Sequence, residues 1–245
     1  MKLFGWHERI LLRWLPGFCP LCRGRAKMGL PWCERCYMAL PRNEHACWIC
    51  AVPLAASAEG EEECQRCQVM PGLLHQCWVP LLLQNEVEWL VRRYKSSGNL
   101  HAGRLLLELA LSVLSASSAS QRLEALWQCE AIMPVPPDIA RQRQRGFDHV
   151  QWLAVRLAKA LGKPLLAAER RYSVGSQRGL RREERWRNIS DLFVVNEALP
   201  ARVVLFDDVM TTGATLEVLA RACFDAGAEW VGGLALARTP SARRC

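Results

Sequence analysis

Two adjacent carboxylates, followed by a turn rich in threonine and glycine, suggest ligand chemistry near the carboxyl end of the chain. Asp207 and Asp208 come directly after four apolar residues, 203–206, and directly before Val-Met-Thr-Thr-Gly-Ala-Thr. The apolar run predicts a strand buried on both faces, and the apolar periodicity over 215–226 predicts a helix. This order places backbone N–H groups and the positive end of a helix dipole where a phosphate can bind. The acids beside them suit Mg²⁺ or sugar hydroxyls.

Two simpler interpretations of this stretch are less favoured. An ordinary strand-to-helix connection does not need two adjacent acids followed at once by Thr-Thr-Gly-x-Thr. The acidic strand of a P-loop nucleotidase would need a partner motif, G-x-x-x-x-G-K-[ST], which the chain lacks. Its only Gly-Lys, at Gly162, is followed by Pro164 and has Leu157 in the place of the first glycine.

The stretch resembles the phosphoribosyl-pyrophosphate (PRPP) binding motif of type I phosphoribosyltransferases. The resemblance implies that Asp207 and Asp208 are the catalytic acids that hold the ribose hydroxyls. It implies that the following turn wraps the 5′-phosphate through backbone amides, with Thr211, Thr212, Gly213, Ala214 and Thr215. In that family the loop after the first core strand receives the pyrophosphate. Here it would consist of Val135, Pro136, Pro137 and Asp138.

Four Cys-x-x-Cys pairs near the amino terminus predict metal binding. Two such pairs close a tetrahedral four-cysteine site, and four thiolates leave no open coordination position, so the ions would be structural. Sequential pairing predicts a double zinc ribbon, with Cys19, Cys22, Cys33 and Cys36 on one ion and Cys47, Cys50, Cys64 and Cys67 on the other. Interleaved pairing and partial occupancy stay open at this point. Redox chemistry is less favoured, because thioredoxin-like pairs occur singly.

Composition limits the class of protein. The chain has 245 residues, of which 51% are hydrophobic, enough for one substantial core and a small appended module. No segment has the roughly 18 to 20 uninterrupted apolar residues of a membrane span. Charged residues stand where a signal peptide needs its apolar centre, so a cytoplasmic location is expected. Instead of a signal peptide, the first 15 residues are predicted to form an amphipathic helix, with Trp6, Ile10 and Trp14 on one side.

The net charge of +8 is concentrated in two arginine-rich stretches, 141–145 and 170–187. A basic surface of this kind favours polyanions, either nucleic acid or a pyrophosphorylated sugar. A solvated face of a soluble protein is the competing interpretation.

The order of the predicted elements indicates an α/β fold. Helices are predicted over 87–94, 100–114 and 150–161, the last ending at Gly162, and strands over 131–134, 165–167, 203–206 and 231–237. The β-α-β order predicts a parallel sheet with its ligand at the carboxyl ends of the strands. We therefore predict a double zinc-ribbon domain with an N-terminal helix over 1–75 and a type I phosphoribosyltransferase-like domain over 76–245.

The whole chain resembles the ComF family of competence proteins, of the ComFC/GntX type. Besides the zinc ribbons and residues 203–215, the matching positions are Arg145, Gly146, Phe147, Gln177, Leu180, Arg185, Asn188 and Phe193. The family usually has Asn-Gln after Arg-Gly-Phe, whereas this chain has Asp148 and His149. Asp148 would weaken anion binding if the family's asparagine serves a ligand. We interpret His149 as a polar residue at a helix start rather than a catalytic base.

The resemblance leaves two hypotheses. In the first, the protein transfers phosphoribosyl from PRPP with Mg²⁺ to an amine or base, and the basic stretch forms a flexible loop over the ligand, with Arg178, Arg181, Arg182 and Arg185. In the second, it is a non-catalytic zinc-ribbon protein that binds single-stranded DNA, and its PRPP site is regulatory or vestigial. Both imply a link to the use of DNA, and DNA-uptake machinery proteins are possible partners.

Overall fold

A sheet of five strands forms the centre of the computed structural model, which describes residues 17–55, 62–116, 120–171 and 192–240. A separate two-stranded sheet pairs β4 with β5. In chain order the strands are β1 (Gln76–Trp78), β2 (Leu81–Leu82), β3 (Ala131–Pro134), β4 (Glu169–Arg170), β5 (Phe193–Val194), β6 (Arg202–Met210) and β7 (Trp230–Arg238).

The central sheet is parallel throughout, which confirms the predicted topology. Its order is β1-β7-β6-β3, and β2 also pairs with β7. Phe206 lies opposite Pro134 of β3 and Leu234 of β7, so the carboxyl ends of these strands meet at one edge. The predicted strand at 165–167 reduces to a single parallel bridge between Leu165 and Ile132.

Helices connect the strands and cover both faces of the sheet. They are α1 (Glu34–Met38), α2 (Gln65–Val69), α3 (Asn85–Ser97), α4 (Leu100–Ala116), α5 (Ser120–Trp127), α6 (Ile139–Arg145), α7 (His149–Leu161) and α8 (Ala214–Asp225). The four helices predicted from apolar periodicity are confirmed as α3, α4, α7 and α8. Gly162 ends α7 in the left-handed conformation, as predicted. Helices α5 and α6 were not predicted, because neither shows a long apolar stripe.

The core has two layers, which β6 separates. Val204 and Phe206 pack with residues of α3, α4 and α7, whereas Val203 and Leu205 pack with residues of α8. Successive side chains of a strand point to opposite faces, so a continuous apolar run is what a strand covered on both sides requires. All four side chains are fully buried.

The cysteine-rich segment packs directly on the start of the sheet. Cys19 shares a core cluster with residues of α3, α4 and α7, whereas the second group of cysteines has a small core of its own. The buried Asn43 amide donates hydrogen bonds to the carbonyls of Ala51 and Val79, at 3.0 Å each. The Cys77 amide, in β1, donates to the Trp48 carbonyl at 2.7 Å. The boundary near residue 75 stays a prediction.

Some expectations fall outside the described residues. These are the amphipathic helix at the amino terminus and most of the basic stretch, including Gln177, Arg178, Leu180, Arg181, Arg182, Arg185 and Asn188. Among the helices that are described, none has both the length and the apolar character needed to cross a membrane.

The packing of α3 against α4 gives a first test. A Cβ atom at Gly103 would lie 2.5 Å from the buried ring of Tyr94. We expect Gly103→Ala to destabilise the protein, because overpacking at a contact this short costs about 2–3 kcal/mol, more than the gain in helix propensity of about 1 kcal/mol. The expected fall in Tm, measured by calorimetry, is roughly 2–8 °C.

Gly17→Ala is the control, because a Cβ atom there would meet nothing within 4 Å. An unchanged Tm for Gly103→Ala would show that the Tyr94 ring can move aside.

Candidate ligand site and metal centres

The predicted phosphate turn lies where β6 ends and α8 begins. Gly213 precedes α8 with a φ of 86°, a conformation that favours glycine. A Cβ atom at this position would also lie 2.6 Å from the Met210 side chain. Thr211 and Thr212 are exposed in the turn. The sequence of this turn is therefore what allows the chain to enter the helix so soon after the acids.

The amino end of α8 can accept an anion. The first backbone N–H groups of a helix have no partner inside it and lie at the positive end of the helix dipole. Ala214 and the two threonines are exposed at this end. The Ala214 amide has a contact of 3.3 Å with the Thr212 hydroxyl, the local bond of a polar turn. The turn thus offers amides and hydroxyls on the solvent side.

The two acids lie within β6, because the strand runs past them to Met210. Asp208 is 3% exposed, and a basic side chain lies near each oxygen of its carboxylate. Lys95 Nζ lies 2.9 Å from Oδ1, and His149 Nε2 lies 3.3 Å from Oδ2. Lys95 comes from the last turn of α3, and His149 is the first residue of α7. The fold therefore brings three distant parts of the sequence together at this carboxylate.

Tyr94, the neighbour of Lys95, fixes the start of α7. Its hydroxyl donates a hydrogen bond of 2.6 Å to the carbonyl of His149. Its ring meets Phe147 and His149 edge-on. Burial raises the pKa of Tyr94, so the hydroxyl keeps its proton and remains a donor. The contacts of Tyr94 thereby fix the positions of Lys95 and His149 relative to each other, independently of their contacts with Asp208.

Asp207 differs from Asp208 in its hydrogen bonding and in its pKa. Its Oδ1 accepts a hydrogen bond of 2.8 Å from the Asp208 amide. Removal from water, together with the nearby negative charge of Asp208, raises the pKa of Asp207 to about 7, although Lys95 acts in the opposite direction. Asp207 is therefore partly protonated at neutral pH.

The predicted pyrophosphate loop starts beside the acid pair. The Val135 amide donates to the Phe206 carbonyl at 2.8 Å, one residue before Asp207. The Pro136 carbonyl accepts a hydrogen bond of 3.2 Å from Arg170 Nε in β4. Asp138 Oδ1 accepts one of 3.0 Å from Ala140 at the start of α6. Val135 thus adjoins the acid pair, and the role of residues 135–138 as a pyrophosphate loop stays a prediction.

The departure at Asp148 and His149 has a structural explanation. Asp148 caps α7 by accepting a hydrogen bond of 2.9 Å from the Gln151 amide. His149 does start a helix, as we predicted, but its contact with Asp208 was not foreseen. The participation of Lys95 was also missed, because no local pattern distinguishes it from an ordinary lysine at a helix end.

The eight cysteines of the Cys-x-x-Cys pairs form two compact groups. The sulfur atoms of each group lie within 4.8 Å of one another, in the sequential pairing. Cys22 and Cys33 are 3.6 Å apart at sulfur, and Cys50 and Cys64 are 3.7 Å apart. A tetrahedral ion with Zn–S bonds of about 2.3 Å separates its sulfur ligands by about 3.8 Å. Both groups therefore fit a metal ion such as zinc.

The chain is similar to two kinds of curated protein. No protein-family profile matches the chain. The chain is 32% identical over 155 residues to Competence protein F of Haemophilus influenzae. The aligned region covers 61% of this chain and 66%, just under two thirds, of that protein. It is 28% identical over 231 residues to DNA utilization protein YhgH of Escherichia coli K12, which is 92% of this chain and 98% of that protein.

One solved structure is also similar, at a low level. A purine phosphoribosyltransferase from Pyrococcus horikoshii Ot3 matches with 19% identity and a TM-score of 0.33, covering 55% of this chain and 83% of that one. A TM-score of this size carries no argument about function.

The cysteine geometry predicts two metal ions per chain. Zinc released by a thiol-modifying mercurial should amount to two equivalents from the purified protein. The double variant Cys22→Ser, Cys33→Ser should release one, because two thiolates cannot hold a structural ion. Cys129→Ala, a buried cysteine outside both groups, should still release two. A value of one from the unmodified protein would contradict a metal in each group.

Proposed function

We propose that this chain, a phosphoribosyltransferase-like member of the ComF family, binds PRPP or a related phosphoribosyl ligand at the carboxyl end of β6. The observation that carries the proposal is the direct succession of acid pair, exposed Thr/Gly turn and helix N-terminus on one strand of a parallel sheet. Ligands of open α/β sheets bind at this edge.

Each part of such a ligand has a counterpart. The 5′-phosphate would meet the amides and hydroxyls of residues 211–215, where a helix N-terminus favours an anion. The ribose would lie at the acid pair, since carboxylates accept hydrogen bonds from sugar hydroxyls. The pyrophosphate would lie toward residues 135–138, a loop that starts beside the acids. Lys95 holds the carboxylate of Asp208 at 2.9 Å.

Transfer of the phosphoribosyl group would require the pyrophosphate to leave C1 through an oxocarbenium-like state. Mg²⁺ bound with the ligand would neutralise part of the leaving charge, and Asp207 offers the oxygen ligands that this ion prefers. Within the described residues no side chain is placed as a specific general base for an acceptor. We therefore propose PRPP binding first and phosphoribosyl transfer to an amine or base second.

The biological setting of this proposal comes from the relatives. One is named for competence and another for DNA utilization. We propose that this chain likewise serves DNA uptake or the use of DNA as a nutrient, with proteins of the uptake machinery as partners. A cytoplasmic location belongs to the proposal, because reducing conditions keep the cysteine ligands as thiols and thiolates.

Calorimetric titration with PRPP and Mg²⁺ tests the binding. The double variant Asp207→Asn, Asp208→Asn should lose at least tenfold in affinity, because amides replace the hydrogen-bond acceptors for the ribose. Asp225→Asn, an exposed change at the end of α8, should bind as the unmodified protein does. No heat of binding from the unmodified protein would refute the proposal.

A second candidate function, binding of single-stranded DNA, is favoured by the surface of the first cysteine group. Phe18 is 81% exposed and lies opposite Arg25 in an isolated bridge. Arg23 and Lys27 are exposed beside them. Single strands bind to aromatic side chains on which bases stack, next to cations that meet the phosphates. This surface combines both features on a segment that a metal ion would make rigid.

Binding of a labelled oligothymidylate at several salt concentrations tests this candidate. Phe18→Ala should weaken binding by about 5- to 150-fold through lost stacking. Arg23→Gln with Arg25→Gln should reduce the slope of log affinity against log salt by about 1.4, for two phosphate contacts. Met38→Ala, 64% exposed on α1, is the control. Affinity that does not fall with salt would contradict contacts to phosphates.

A further inference from the structure

We infer that Lys95 and His149 are positioning residues, which hold Asp208 as an internal carboxylate and leave Asp207 as the acid that contacts a bound sugar. The first half of this inference concerns the protein without ligand. The second half rests on the proposed function. Together they divide the acid pair into one residue that organises the site and one that binds.

The surroundings of Asp208 are those of an internal ion pair. Its side chain is 4% exposed, and those of Lys95 and His149 are 24% and 14% exposed. A carboxylate with so little access to water costs several kcal/mol unless a cation compensates it. Lys95 at 2.9 Å does so from α3, and His149 at 3.3 Å adds a second contact from α7. A sugar hydroxyl would have to displace one of these partners to reach Asp208.

Asp207 is placed differently with respect to the sheet. Contacts with α3 and α7 put Asp208 on the face that those helices cover. Because neighbouring side chains of a strand point to opposite faces, Asp207 is directed toward the face that carries α8. The phosphate turn at residues 211–213 leads into that same helix. A ribose whose 5′-phosphate occupies the turn therefore approaches Asp207 without disturbing the ion pair.

The positions of Lys95 and His149 are themselves fixed by the fold. Tyr94 is fully buried and bonds the backbone of His149, while Lys95 follows it in the same helical turn. The Gly103 backbone packs against the Tyr94 ring and leaves no room for a larger residue. The packing of α3 on α4 and α7 thus determines where Lys95 and His149 meet β6.

A double-mutant cycle in the absence of ligand tests the first half. Lys95→Met should lower Tm by roughly 6 °C or more, because it leaves a buried carboxylate without its main partner. Asp208→Asn added to Lys95→Met should recover most of that loss. Lys95→Arg should keep Tm close to the original value, and Lys159→Met, an exposed lysine of α7, is the matched control. Additive changes in Tm would overturn the inference.

His149 is tested in the same way. His149→Gln keeps an N–H donor for Asp208 and should retain most of the Tm, whereas His149→Leu should not. Equal losses from both substitutions would show that the ring matters for packing alone and would remove His149 from the inference.

Calorimetry with PRPP and Mg²⁺ tests the second half. Asp207→Asn should lose at least tenfold in affinity. Lys95→Met should also lose affinity, Lys95→Arg should restore it, and Lys95→Met combined with Asp208→Asn should bind more tightly than Lys95→Met alone. If the combined variant binds as weakly as Asp207→Asn, Asp208 contacts the ligand and the inference is wrong. If Lys95→Met and the combined variant bind equally weakly, Lys95 contacts the ligand directly, which also overturns it.

The Tm measurements without ligand and the titrations with PRPP test this inference separately from the proposed function. Failure of the unmodified protein to bind PRPP would refute the proposed function and, with it, the ligand role of Asp207. The cycle in Tm would still decide whether Lys95 and His149 position Asp208.

Discussion

Strand β6 is buried on both faces, and this constraint determines the rest of the site. A strand in that position is apolar where both faces are covered, as it is over residues 203–206. Asp207 and Asp208 follow directly, where the pairing of β6 with β3 has ended. Because β3 and β7 run parallel to β6, their carboxyl ends lie at the same edge. The acid pair, the Thr/Gly turn and Val135 are therefore neighbours as a consequence of sheet topology.

The buried carboxylate of Asp208 is stabilised by basic residues from two helices, α3 and α7. An unpaired carboxylate at the position of Asp208 would be costly. Lys95 compensates it at 2.9 Å, and His149 makes a second contact at 3.3 Å. The compensation ties α3 and α7 to the central strand by an ion pair as well as by apolar packing. Asp207, whose pKa is raised to about 7, has the incompletely compensated charge. Such a group is suited to respond to a ligand.

The cysteine-rich segment obtains its structure in a different way from the sheet. Its short helices α1 and α2 have few buried residues, and four cysteines at each centre replace a large core. Metal binding supplies folding free energy to a segment of this size. The first group also shares the core of the main domain, and the Asn43 amide and the Cys77 amide join the two parts by hydrogen bonds. The surface with Phe18 and Arg25 is thus presented on a supported segment.

By itself the sequence determined what is local or periodic: the apolar run of β6 with its acids, the helices α3, α4, α7 and α8, the cap at Gly162, and the spacing of the cysteines. These features depend on neighbouring residues and can be recognised one segment at a time. Tertiary structure alone decided the sequential grouping of the cysteines, the capping role of Asp148 and the convergence of Lys95, His149 and Asp208. Lys95, His149 and Asp208 are separated from one another by more than 50 residues, and only the packing of α3 and α7 against β6 brings the two basic side chains within 3.3 Å of the Asp208 carboxylate.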